Sequence, residues 1–148
     1  MVSVRLLIIL FFVAFKLNAQ SINKEEATIQ QTVENMFATL TNADTSALKT
    51  FVTTNVRFYE YGQVWPIDTL IQEVIQIKSI PGFKRTNRFN FVSTTIHKKT
   101  AWVTYYLESI ITANGKMDTL NWLETVVLIK QKRQWKIDVL HSTRIIKK

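Results

Sequence analysis

From Arg85 to Ile145 the chain is built of four long alternating runs separated by three short turns, and nothing else in the sequence restricts the fold as strongly. The runs are Arg85 to His97, Thr100 to Thr112, Asp118 to Lys130 and Gln134 to Ile145. Lys98-Lys99, a turn around Asn114-Gly115, and Gln131-Lys132-Arg133 separate them. Asn-Gly is a strong short hairpin signal, because both residues tolerate positive φ. Three consecutive hairpins predict an antiparallel meander of four strands. With only three glycines and two prolines in the chain, the elements should be long.

The segment before the meander has a different period. Ile29, Val33, Met36, Phe37 and Leu40 make one apolar stripe at helical spacing, which predicts a first helix from about Lys24 to Thr41. Asn23 can cap it, and Glu26 can complete the capping box. Asp44 or Thr45 starts a short second helix carrying Leu48, Phe51 and Val52, which Thr53-Thr54-Asn55 should end. Val56 to Tyr61 reads as a strand, and Gly62 turns the chain so that Gln63-Val64-Trp65 can pair back. Asp68 should cap a third helix, Thr69 to about Lys78, with Leu70, Ile71, Val74 and Ile75 inward; Pro81-Gly82 stops it. Helices gathered ahead of a late antiparallel sheet define an α+β fold. A curved sheet wrapped around the first helix would leave a concave mouth.

The N-terminus reads as an address. Arg5 precedes ten apolar residues, Leu6 to Phe15, and Lys16-Leu17-Asn18-Ala19 follows. A basic start, a short apolar run and a small residue describe a secretory signal peptide. A membrane-spanning helix needs about 20 apolar residues. The expected organisation is a signal peptide over residues 1–19 and one domain over 20–148, placed in the periplasm or outside the cell with no membrane anchor after cleavage. The chain has no cysteine, so disulfides and thiolate metal sites are excluded. Arg5 and Lys16 leave with the signal, so 17 basic residues then face 11 acidic ones, a net charge of about +6. These charges cluster at expected turns and ends, which points to solvated turn charge and away from a nucleic-acid partner.

The element order resembles the nuclear transport factor 2-like superfamily, whose fold is a conical α+β sheet. The resemblance runs from about Glu25 to Arg144. It is carried by Phe58-Tyr59-Glu60-Tyr61-Gly62 and by the final Gln134-Trp135-Lys136-Ile137-Asp138-Val139-Leu140-His141-Ser142. That superfamily includes ketosteroid isomerases, polyketide cyclases, scytalone dehydratase and many secreted bacterial proteins. The resemblance implies a cone with an interior pocket. It does not select a reaction, because one fold hosts many chemistries. No aspartate matches the base position of the isomerases: Asp118 sits at a turn and Asp138 on the expected outer face.

Strand alternation nominates site residues. In the last run Trp135, Ile137, Val139, His141 and Thr143 share one face, expected to be the interior, so His141 should point into the cavity as a base or ligand-orienting donor. Leu120, Trp122, Glu124, Val126 and Leu128 share a face of the preceding run, opposite Leu123, Thr125, Val127 and Ile129. Both faces are apolar, so both should be covered, one by the first helix and the other by a second subunit. An inward Glu124 would have a raised pKa and form an acid/base pair with His141. Tyr105 is a candidate pocket hydroxyl, and Tyr59, Glu60, Tyr61 and Trp65 would form an aromatic rim. The ligand-binding set is therefore Tyr61, Trp65, Tyr105, Trp122 and His141, and the catalytic candidates are Glu124 and His141. No metal site and no cofactor is expected, since the two histidines lie far apart and no phosphate-cradling glycine loop exists. Three functions remain open. The first is a homodimeric binding module for a small apolar or aromatic molecule. The second is an isomerase- or hydrolase-type enzyme working by proton transfer. The third is a structural domain whose interior is filled.

Overall fold

The computed structural model describes residues 24–146. The expected signal peptide and the Asn23 cap lie outside them. Helix α1 covers residues 24–42 and α2 Thr45–Phe51. Strand β1 is Val52–Glu60, β2 Gln63–Pro66 and helix α3 Ile67–Lys78. The meander follows as β3 Lys84–His97, β4 Thr100–Ala113, β5 Lys116–Gln131 and β6 Gln134–Ile145. All six strands form one sheet in the order β2-β1-β6-β5-β4-β3. Neighbours are antiparallel except β1 and β6, which run parallel. The fold is the expected α+β one. Among the described residues no helix is long and apolar enough to cross a membrane.

The apolar stripe of α1 becomes the core. Ile29, Val33 and Met36 are fully buried, together with Ala101, Val103, Tyr105, Val126, Leu128 and Ile137 from the inner face of the sheet. Each large aliphatic side chain among them contributes about 1.5–3 kcal/mol by leaving water. Polar ties set the helix across the strands: Gln30 Nε2 donates to Thr94 Oγ1 at 3.0 Å, Asn87 Nδ2 to Thr41 Oγ1 at 3.3 Å, and Lys130 pairs with Glu25.

Two bulges bend the sheet and reset its alternation. In β3, Phe91 faces Tyr105 and Ser93 faces Thr104, so Val92 is the extra residue and lies exposed. In β6, Ile137 faces Leu128 and Val139 faces Val127, which leaves Asp138 unpaired. An extra residue shifts the two-residue period by one, so everything beyond it changes face. Trp135 and Ile137 point inward, but beyond Asp138 the buried residues are Leu140 and Ser142. His141 is therefore exposed on the outer face, against the expectation from strict alternation.

Three smaller expectations are also corrected. Thr53-Thr54-Asn55 does not end α2 as a loop. Val52 is already extended (φ −118°, ψ 160°) and pairs with Ile137, so sheet pairing claims these β-prone residues. Asp68 does not cap α3. The helix starts at Ile67 with Pro66 at the cap position, and Asp68 sits in the first turn, where its charge still suits the helix dipole. Ile75 is 54% exposed and points away from the core, which Leu70 reaches instead.

Candidate functional site

A cavity of about 290 Å³ opens where the ends of α1 and α3 meet β1, β2 and the inner face of the sheet. That is the lower end of the size range for small-molecule sites. Phe37 and Leu40 of α1, Leu70, Val74 and Ile77 of α3, Phe58 and Leu140 supply apolar wall, and Tyr61, Trp65 and Trp122 supply aromatic wall. Tyr61 and Trp122 meet edge to face with centroids 5.7 Å apart, and Tyr61 lies 6.5 Å from Trp65. Tyr61 takes a positive φ of 49° ahead of Gly62 in the β1–β2 turn, which swings its ring over the mouth. Four charged side chains break the apolar lining: Glu60, Glu73, Arg85 and Glu124.

The inner polar end is a row across adjacent strands. Tyr105 of β4 faces Glu124 of β5, and Glu124 faces Ser142 of β6. Glu60 follows Tyr59, which pairs with His141, and so comes beside Ser142. Ser142 Oγ lies 2.8 Å from Glu124 Oε1 and 3.0 Å from Glu60 Oε1. A hydroxyl has one proton to donate. It can satisfy one ionised carboxylate, and the second carboxyl completes the arrangement only by bringing a proton of its own. Glu124 is the group suited to hold it. Burial raises its pKa from 4.5 to about 7; the nearby Tyr105 hydroxyl and the hydrogen bond from Ser142 oppose this, and the Glu60 charge adds to it. Burial also raises the Glu60 carboxyl, while Ser142, Arg85 and His141 pull it back.

Tyr105 is completely buried, and burial first and the Glu124 charge second push its hydroxyl well above the usual tyrosine range. The hydroxyl interacts electrostatically with Glu124, yet no contact closes to full hydrogen-bond geometry, and Tyr105 Oη and Glu124 Oε2 both remain unpaired. Arg85 is fastened from behind. Its Nε donates to Asn87 Oδ1 at 2.9 Å and its Nη2 to Ser109 Oγ at 2.9 Å, and the Ser109 hydroxyl donates to Asn87 Oδ1 at 2.8 Å. Burial lowers its pKa and the charges of Glu124 and Glu60 raise it, but a guanidinium stays charged.

The structure brings Tyr61, Trp65, Trp122 and Glu124 to the cavity wall. Tyr105 lies behind the wall, under Phe37, Phe89 and Phe91. His141 lies on the other side of the sheet, its ring 6.2 Å from Tyr59, so the expected Glu124–His141 pair does not form. Ser142, Arg85 and Glu73 were missed. Arg85 had a signal: it shares its strand phase with Asn87, Phe89 and Phe91, and a charge in phase with two phenylalanines faces the same way. Among the described residues no group of three or more side chains suited to holding a metal ion comes together.

A curved sheet closed by helices over a cavity with polar groups at its inner end defines the nuclear transport factor 2-like class of fold. Within that class the chain belongs to the SnoaL-like domain family, whose family model matches residues 29–146. No curated protein matches it significantly. Among solved structures it is similar to a conserved protein from Planctomyces limnophilus (TM-score 0.75, 14% identity, 83% of this chain and 99% of that one). It is also similar to a ketosteroid isomerase-like protein from Erwinia carotovora atroseptica (TM-score 0.64, 20% identity, 84% and 99%). A third is the CaMKII hub of S. rosetta (TM-score 0.70, 19% identity, 81% and 96%). At these identities the likeness is one of fold.

Proposed function

We propose that this chain is exported to the periplasm or beyond and binds a small, largely apolar molecule that places one polar group against Glu124. The observation that carries this reading is the cavity itself: about 290 Å³ of mostly apolar and aromatic wall, with one deeply buried carboxyl on it. A filled interior would have no such space. The basic-then-apolar stretch ending at Ala19 supports export, and the apolar outer face of β4 and β5 supports a homodimer. Native mass spectrometry of the protein from its own host, beside the same sample denatured, tests the reading. Excess mass of a few hundred daltons released on denaturation is the expected result, from a chain beginning at Gln20. A bare mass, with no small molecule in the denatured supernatant, would count against it.

A second reading is favoured by one specific arrangement, the two carboxyls that share Ser142. A carboxyl titrating near neutrality is well placed for general acid–base work. Glu124 would move a proton at the ligand, and Glu60 would exchange it with solvent through Ser142. His141 has no part in this. Deuterium exchange at carbon acids supplied as probes, followed by proton NMR, separates an enzyme from a binder: Glu124→Gln abolishes exchange in the first case, and there is none to abolish in the second.

A further inference from the structure

We propose, resting on the pocket reading above, that the ligand is a small apolar amine whose protonated nitrogen sits between Glu124 and Glu60. The charged groups on the cavity wall are three carboxyls, Glu60, Glu73 and Glu124, and one guanidinium, Arg85. Arg85 already directs two of its nitrogens to Asn87 and Ser109. Among the described residues none of the three carboxyls is in an ion pair; the pairs present are Arg88–Glu108 and Lys130–Glu25, both elsewhere. Glu124 is 3% exposed, and its Oε2 has no hydrogen-bond partner.

Around Glu124 and Glu60 the demand is for donors and positive charge. Ionised carboxylates only accept, and the single Ser142 proton cannot serve both Glu124 and Glu60. An ammonium group brings three donors and a charge, and so satisfies Glu124 Oε2 while relieving the repulsion between the two carboxylates. The faces of Trp65 and Tyr61 also attract a cation. A carboxylate ligand would add a fourth negative charge. A ketone would bring only an acceptor and would need Glu124 to stay protonated. The groups that set the charge around Glu124 are Glu60 of β1, Arg85 of β3, Tyr105 of β4 and Glu73 of α3. From β6 come Ser142 on the inner side and His141 on the outer side, while α1 presents Phe37 and Leu40.

The pH dependence separates amine from ketone, because the two need opposite forms of Glu124. Its pKa lies at about 7. Below that pH an ammonium must displace a proton, so its affinity falls by up to about tenfold per pH unit. A ketone that accepts from the protonated carboxyl gains affinity in the same direction. The experiment is calorimetric titration of the mature protein from about pH 5.5 to about pH 8.5 with phenethylamine, phenethyl alcohol, acetophenone and phenylacetate. Phenethylamine should bind at least about tenfold more tightly than the alcohol at the alkaline end, as expected of a hydrogen bond to a charged group, and lose that advantage towards acid. Glu124→Gln should remove both the preference and the slope. Glu60→Gln provides the same test, at smaller amplitude, if the first variant does not fold. Alcohol or ketone binding as tightly as the amine at every pH overturns the amine assignment and leaves the pocket reading standing. Failure of all four probes to bind the folded protein overturns both.

Discussion

A carboxyl group kept from water holds its proton to a higher pH, and at Glu124 this extends to about pH 7. Between 4.5, its ordinary value, and about 7 the folded chain binds a proton that the unfolded chain has already released. Stability must therefore fall as pH rises through that window, and level off on either side of it. The interval corresponds to about 3 kcal/mol at most, and the raised Glu60 carboxyl acts with the same sign. Glu124→Gln keeps the shape and removes the charge. Its urea-unfolding free energy should change little between about pH 5 and about pH 8, and should exceed the native value by about 1–3 kcal/mol at the alkaline end. A variant curve running parallel to the native one would mean that Glu124 is ionised in the fold throughout. His141 offers the opposite case. It is exposed beside Tyr59, so His141→Ala should shift stability by less than about 0.5 kcal/mol and leave probe binding unchanged.

The bulge at Asp138 turns β6 from a strand that would present His141 to the cavity into one that presents Ser142. It is held from the neighbouring strand: Thr53 Oγ1 donates to Asp138 Oδ1 at 2.7 Å, where β1 begins its pairing with β6. Deleting Asp138 would remove the extra residue and leave Ile137, Leu140 and Ser142 in one two-residue phase, still inward, with His141 still outward. What the deletion removes is the local bend and the hydrogen bond from Thr53. The deletion variant should therefore keep a cooperative unfolding transition by circular dichroism, and Asp138→Ala should cost about 1 kcal/mol, the loss of one hydrogen bond. Loss of that transition in the deletion variant would show that the bend at Asp138, and not the phase of β6 alone, holds the strand in the sheet. The same feature marks how far the sequence could be read. The bounds of β6, the two alternating faces of β4 and β5, and the stripe of α1 were legible, because burial periodicity is written locally; which face of β5 turns inward was not, because both of its faces are apolar. Glu124, Trp122, Tyr61 and Trp65 lie on the cavity wall. Ser142 was not legible, because the residue that displaces it answers to Thr53, 85 positions away in the chain. Ile75 misled for a related reason. Helical spacing identifies an apolar face, but where that face is wide, packing on β1 and β2 decides which part of it is covered.

At the scale of the molecule, the sheet has a second apolar face. Trp102 pairs with Val127 and Tyr106 with Leu123 across β4 and β5. Trp102, Tyr106 and Leu123 are 42%, 47% and 37% exposed. Thr104 and Thr125 lie between them with hydroxyls 3.4 Å apart. Charge is almost absent from this surface until Glu108, which pairs with Arg88 at the rim. An aromatic, nearly uncharged sheet face is costly to leave in water, and a second copy of the same surface is the simplest cover for it, since a two-fold interface needs only one self-complementary patch. A stable interface covers about 800 Å² on each partner. The expected state is a dimer by light scattering, with a melting temperature that rises with protein concentration. Trp102→Glu and Tyr106→Glu both place a carboxylate on this face without touching the core, so each should give a folded monomer. Because residues alternate across β5, Leu123 in the interface and Glu124 on the cavity share one stretch of backbone. The monomeric variants should therefore also bind the aromatic probes more weakly, by a factor of a few. A wild-type protein that stays monomeric at high concentration, or glutamate variants that stay dimeric, would move the interface elsewhere and leave the outer face as plain exposed sheet.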